Sequence, residues 1–289
     1  MNMSMVKKYN NFPIGYDPQK VRFGKLTLNR DILGLFKVIF ARDFDSDLIE
    51  WYAACPTGSN IWYGAFEGSE PIGMYGLLPI KIKVGNQVYN GALCNNVGVM
   101  PKYFGRGLFQ SLSRYALEDA GFPVSVCQPN VQASRGHKVV GWECCGILEL
   151  LSSDLEEREI DFVEYDQFQF IPRENEPYFC IVKDSDFFKW RYSRPYMQYF
   201  QSFFDDGRYA IWKYYGNRKQ VCEITDFQFV HQLGGKIDIL QFKDSTTSKN
   251  LKDVGFHPTL TSEFLVTGHV EIKQNVNEFN FEPGDNDVF

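Results

Sequence analysis

The chain is short of positive charge: 30 Lys and Arg stand against 36 Asp and Glu, and no basic run is longer than the pair Lys7-Lys8. A net charge of -6 gives no field to draw in a polyphosphate chain, so nucleic acid is not expected as a partner. Long apolar runs are missing as well. Residues 1–11 are polar and lack the apolar centre of a secretion signal, and no later window approaches the length of a membrane span. A cytoplasmic protein with no membrane partner is expected. The 7 cysteines are odd in number and mostly sit inside apolar runs, which does not suit a disulfide framework. Cys144 and Cys145 are adjacent rather than two apart and have no His at ligand spacing, so no metal site is expected.

Aromatic rings, by contrast, are plentiful: 26 Phe and 16 Tyr can fill cores or line a cleft for a flat or sugar-like ligand. A length of 289 residues suits two compact halves. Residues 20–28 alternate as a first strand. Two helices follow: one has apolar Ile32, Leu35, Phe36, Ile39 and Phe40 behind a cap at Asn29 or Asp31, and the other is capped at Ser46. Period-2 patterning then predicts strands at 60–66, 71–84 and 87–100, the last two as a hairpin over Gly85-Asn86. Residues 108–120 read as a helix, 124–127 as a strand, 131–140 as a helix and 142–151 as a closing strand pair. The charged stretch 152–159 reads as a solvated linker, giving domains at 1–151 and 152–289. In the second, helices are expected at 185–192 and 248–254, strands at 209–215, 221–230, 237–242 and 260–266, and a frayed tail from 275. The fold class is α/β, an α+β arrangement around a mixed sheet.

Chemistry concentrates in Asn96-Val97-Gly98-Val99-Met100-Pro101-Lys102-Tyr103-Phe104-Gly105-Arg106-Gly107-Leu108-Phe109, a strand that feeds a helix through a glycine turn. A helix start has unpaired N–H groups and the positive end of a dipole, so it holds anions such as a pyrophosphate. Gly105 and Gly107 let the backbone turn sharply and approach the phosphates. The same spacing also fits a turn with no ligand.

Phe104-Gly105-Arg106-Gly107-Leu108-Phe109 resembles motif A of the GCN5-related N-acetyltransferase (GNAT) superfamily, Arg/Gln-x-x-Gly-x-Gly/Ala after the fourth strand. Phe104 stands where Arg or Gln is usual, and Phe109 where the last small residue is usual. Asn130-Val131-Gln132-Ala133-Ser134-Arg135-Gly136-His137-Lys138-Val139-Val140-Gly141-Trp142 is similar to the family's Asn-x-x-Ala-x-x-x-Tyr-x-Lys-x-Gly-Phe, with His137 at the Tyr position and Val139 at the Lys. The resemblance implies a GNAT fold over residues 20–150, acyl-CoA as cosubstrate and direct attack of an amine on the thioester. It further implies a cofactor site made by Val97, Val99, Phe104, Gly105, Arg106, Gly107, Leu108, Phe109 and Asn130, with the backbones of Val97 and Val99 bonding the pantetheine arm.

His137 is the expected general acid or base, or else a partly exposed helix histidine. Asn95 and Asn96 are expected to orient the acceptor amine, or to satisfy an irregular strand. Cys94 and Cys127 flank the region and read as buried thiols rather than nucleophiles. Phe187-Phe188-Lys189-Trp190-Arg191-Tyr192-Ser193-Arg194-Pro195 is similar to a segment of larger superfamily members, which implies a degenerate second GNAT-like half shaping the acceptor pocket. There Trp190, Arg191 and Tyr192 would hold a nucleotide-sugar or pack an interface. The acceptor implied is a small-molecule amine, a dTDP- or UDP-amino sugar of a surface polysaccharide pathway. An aminoacyl-tRNA-dependent peptidyltransferase-like enzyme and a non-catalytic acyl-CoA-binding module are the alternatives.

Overall fold

The computed structural model describes residues 14–43, 45–172, 177–204, 207–272 and 275–281. The polar start at residues 1–11 and the last tail residues, 282–289, lie outside them. The chain divides into two compact units. The first holds the described residues up to Lys81 together with Tyr89–Cys144 and Leu265–Glu271. The second holds Ile82–Val88, Cys145–Phe264 and the described residues from Ile272.

In chain order, the first unit begins with β1 (Val21–Lys25), α1 (Asn29–Phe40), α2 (Ser46–Ala53), β2 (Ile61–Glu67), β3 (Glu70–Val84) and β4 (Gln87–Val99). Then follow α3 (Leu108–Ala120), β5 (Val124–Cys127), α4 (Val131–Val139) and the start of β6 (Glu143–Asp154). Ile32, Leu35 and Phe36 turn one face of α1 inward, and Leu108, Leu112 and Ala116 do the same for α3. Neither expected cap of α1 is used: Asn29 is already helical and the N-cap is Leu28. Asp45, not Ser46, caps α2, accepting from the Asp47 N–H. β1, β2 and β3 pair antiparallel in sequence, and β4 runs parallel to β5. Core residues from all of these strands meet α3 around Tyr75, Leu77, Leu108 and Leu112.

The second unit contains most of β6, then β7 (Val163–Glu164), β8 (Phe179–Ile181), α5 (Ser185–Tyr192), β9 (Tyr199–Phe203), β10 (Tyr209–Tyr215) and β11 (Arg218–Ile224). It closes with β12 (Lys236–Phe242), α6 (Thr246–Asp253) and the first part of β13 (His257–Gly268). Its strands run in the order β6-β12-β11-β10-β9-β7, and β8 pairs with the tip of β3 at Ile82, Lys83 and Val84. The β11–β12 pair is parallel and the other neighbours in this order pair antiparallel, giving a mixed sheet. The last residues of β13, Leu265–Gly268, return to the first unit and pair antiparallel with β5.

Four expectations are corrected. β6 is one strand running through Asp154, so residues 152–154 are not linker. The strand expected to reach 230 stops at Ile224, because Asp226 caps a 3-10 helix over Phe227–Leu233. β7, β8 and β9 lie where no strand was expected. Phe279 and Phe281 are buried rather than frayed, Phe281 against Phe264 at 4.8 Å between ring centres. No helix among the described residues is long and apolar enough to cross a membrane, and no group of three His, Cys, Asp or Glu is placed to hold a metal ion.

Candidate active site

β4 is regular until Asn96, whose φ of 46° puts a non-glycine residue in the left-handed region. One residue there bends the strand. Its recorded register with β5 covers Ala92↔Ser125 and Leu93↔Val126, so Val97, Gly98 and Val99 continue beyond those pairs. Past Val99 the chain makes a short 3-10 turn over Pro101–Tyr103, and Gly105 (φ 71°) and Gly107 (φ 78°) swing it into α3. Gly107 is the N-cap and carries no capping side chain. The N–H groups of Leu108, Phe109 and Gln110 have no carbonyl one turn earlier to bond, so the first turn of α3 is an anion seat. An added Cβ at Gly105 would meet nothing within 4 Å, so the seat is open there.

A cavity of about 560 Å³ sits over this turn. β4 contributes Val97, Gly98 and Val99, the turn and α3 contribute Tyr103 to Gln110 except Arg106, and α4 contributes Asn130, Gln132, Ala133, Arg135, Gly136 and Val139. Ile39 and Phe40, from the end of α1, close it. α1 comes this near only because position 98 is glycine: a Cβ there would lie 2.4 Å from Ile39 Cγ2. Asn130 caps α4, its Oδ1 accepting from the Ala133 N–H at 2.9 Å. Arg106 is not among the lining residues, and its carbonyl accepts from the Gly15 N–H at 2.8 Å.

His137 is 1 % exposed and does not line the cavity. Its ring lies among Trp142 (4.9 Å), Phe109 (5.2 Å) and Tyr75 (5.8 Å), with Nδ1 3.4 Å from the Tyr75 hydroxyl. Burial lowers its pKa from 6.5 to about 3, so the imidazole is neutral across the physiological range. One departure from the family pattern and one glycine bear on its position. Phe109 is too large for the usual small residue, and Gly136 receives it, since a Cβ there would lie 2.6 Å from the Phe109 ring. The ring then lies between the cavity and His137. A glycine inside a helix costs about 1 kcal/mol against alanine, and that is the signal by which Gly136 could have been singled out.

Asn95 and Asn96 belong to a chain of amides. Asn96 Nδ2 donates to the Tyr52 hydroxyl at 2.8 Å and to Asn95 Oδ1 at 2.9 Å, and Asn95 Nδ2 donates to Asn60 Oδ1 at 2.8 Å. Asn60 is 8 % exposed, and its own Nδ2 has no partner. Tyr52 and Asn60 escape a sequence reading because they approach from 44 and 35 residues away. Gly76 on β3 leaves room for this chain: a Cβ would sit 2.5 Å from Asn95 Oδ1 and 2.6 Å from its carbonyl oxygen. Gly76→Ala should therefore lower stability by about 1–3 kcal/mol in urea unfolding. Gly24→Ala, whose Cβ comes no nearer than 3.7 Å to a neighbour, should cost much less.

The remaining candidates are buried. Cys94 and Cys127 are both in the core, and burial holds the Cys127 thiol well above its usual pKa, leaving little thiolate for nucleophilic attack. Trp190, Arg191 and Tyr192 lie on α5 inside the second unit, 7 %, 4 % and 2 % exposed. Tyr192 donates to Glu223 Oε2 at 2.9 Å and Arg191 to the Tyr199 hydroxyl at 3.2 Å.

Residues 21–140 match the family model of the acetyltransferase (GNAT) domain. The chain carries a GNAT acetyltransferase domain. A GNAT domain over those residues implies acyl transfer with acyl-CoA as cosubstrate. Solved structures agree in fold. A Pyrococcus horikoshii protein held to be an acetyltransferase aligns over 91% of this chain and 94% of its own, with a TM-score of 0.61 and 14% identity. GCN5-related N-acetyltransferases from Kribbella flavida (TM-score 0.57, 15% identity) and Anabaena variabilis ATCC 29413 (TM-score 0.58, 12% identity) each align over 85% of this chain. They are covered over 71% and 72% of their own lengths, respectively. No curated protein matches the chain in sequence. Cavity, glycine turn and amide chain all lie within the first unit, which contains the GNAT domain.

Proposed function

We propose that the chain transfers the acyl group of a CoA thioester to the primary amine of a nucleotide-linked amino sugar, dTDP- or UDP-bound, in the cytoplasm as part of surface polysaccharide synthesis. The observation that carries the acyl-transfer part is the cavity that joins the uncapped start of α3 to the bent end of β4. Main-chain donors of Gly105 and Gly107 to Phe109 would take the diphosphate, and the backbones of Val97 and Val99 would line up the pantetheine arm. The amine nitrogen attacks the thioester carbonyl, a β4 N–H supports the oxyanion, and the C–S bond breaks as the thiolate takes up the proton that the amine gives up.

Among the described residues no carboxylate or imidazole lines the cavity, which supports alignment rather than a side-chain base as the source of the rate. His137, sealed and neutral, has no part in this scheme. Asn96 would orient the amine, held by Asn95. In this reading residues 1–151 serve the thioester and residues 152–289 serve the acceptor. The contact roles expected of Trp190, Arg191 and Tyr192 are not retained, because all three are committed to the packing of their own unit. Aromatic richness and two-unit size support the sugar acceptor, and seven free cysteines support a reducing compartment.

Free thiol release from acetyl-CoA and longer acyl-CoAs, with a panel of amines, tests the reading. Release stimulated by dTDP- or UDP-amino sugars is expected. CoA binding without turnover on any amine would leave a binding module instead, and transfer only from aminoacyl-tRNA, with tRNA rather than thiol released, would replace the CoA thioester as donor and point to a peptidyltransferase-like enzyme.

A further inference from the structure

We propose that Arg135 forms a subsite for the ribose 3′-phosphate of CoA, so that this one side chain separates CoA from its dephospho form. The inference rests on the CoA reading above. Among the described residues Arg135 is the sole charged side chain lining the cavity; the other polar side chains there are the neutral amides Gln110, Asn130 and Gln132 and the phenol of Tyr103. Asn130 is already committed to capping α4. Lys138, the nearest other cation in sequence, and Arg106, in the glycine turn, are not in the lining. Gln132, Arg135, Gly136 and Val139 follow one face of α4, and Phe109 seated on Gly136 fixes that face against α3. Arg135 is exposed, and no acidic side chain among the described residues neutralises it.

The charges of the ligand then sort themselves. A diphosphate bridge carries about one charge on each phosphorus and is met by the N–H groups and dipole at the start of α3. A phosphomonoester carries about -1.5 to -2 at pH 7 and offers three acceptor oxygens, which calls for a cation. A guanidinium presents a planar fork of donors that fits phosphate oxygens in pairs. In a chain of net charge -6, a single arginine in an otherwise neutral cavity is the group able to discriminate this phosphate.

Calorimetric titration of the full chain with CoA and with dephospho-CoA tests the proposal. Wild type should bind CoA roughly ten- to a hundredfold more tightly. Arg135→Gln should erase that ratio by weakening CoA alone, and Arg135→Lys should keep part of it. The salt dependence of CoA binding should also flatten in Arg135→Gln. An unchanged ratio in Arg135→Gln, or an equal loss for both ligands, overturns the subsite and leaves the CoA reading standing. Wild type that binds neither ligand overturns both. Because Arg135 is exposed, unfolding midpoints of the variants should match wild type, which guards the comparison.

Discussion

Replacement of Gly107 by valine should reduce CoA affinity at least about a hundredfold, the loss expected when two or more charge-assisted hydrogen bonds are disrupted. Gly107 has φ 78° and is the residue from which α3 departs. A β-branched residue at such a dihedral costs about 1–3 kcal/mol, which the chain relieves by moving the turn. Any relief shifts the N–H groups of Leu108 and Phe109 from a common focus and fills their approach with methyl groups. Thermal unfolding should fall by only a few degrees, since a loss of 1 kcal/mol lowers the midpoint by about 2–4 °C in chains of 150–250 residues and less in longer ones. Gly121→Ala is the matched control: its φ of 63° is also positive and the added methyl meets nothing within 4 Å, but it lies at the far end of α3, outside the cavity lining. Titration with CoA separates the two, and wild-type affinity in Gly107→Val would remove the turn from the site.

Acidification should destabilise the protein through His137. The unfolded chain takes up a proton there near pH 6.5, while the folded chain resists it to about pH 3. Between those values the unfolded state holds more protons, so stability is complete above pH 6.5 and declines as pH falls, by about 1.4 kcal/mol per pH unit. At pH 5 this residue alone should cost about 2 kcal/mol relative to pH 7.5. His137→Phe keeps a ring among Tyr75, Phe109 and Trp142 and removes the titration. Urea midpoints followed from pH 7.5 to 5 should therefore fall less steeply in the variant. Parallel slopes would mean that His137 is protonated in the native state and lies in a wetter place than its 1 % exposure indicates.

Much of the first unit was readable from residue order. The alternation in 71–84 and 87–100, the apolar faces of α1 and α3 and the glycine turn are all local signals, and each element lies within a few residues of its expected place. What could not be read depends on distant partners. Ser152 looks like linker, yet in β6 it is buried and its hydroxyl reaches Asp238 Oδ1 at 2.6 Å across the pairing with β12. Gln201 and Ser202 make β9 look like loop, but they are fully buried. Gln201 exchanges hydrogen bonds with the backbone of Gln169, and Ser202 accepts from Trp212. At the candidate site the turn itself was visible. The burial of His137 was not, because it follows from Phe109 settling on Gly136, a match between two helices that no pattern along either one reveals.

The antiparallel pairing of Leu265–Gly268 with β5 affects biosynthesis. At ribosomal rates of about 5–20 residues per second, the N-terminal half waits several seconds for the strand that completes it. During that wait one margin of β5 presents unbonded N–H and C=O groups to any other extended chain. Premature termination after β5 and before residue 265 would leave a nascent product that is ready to aggregate, even though every residue of the glycine turn had already been made.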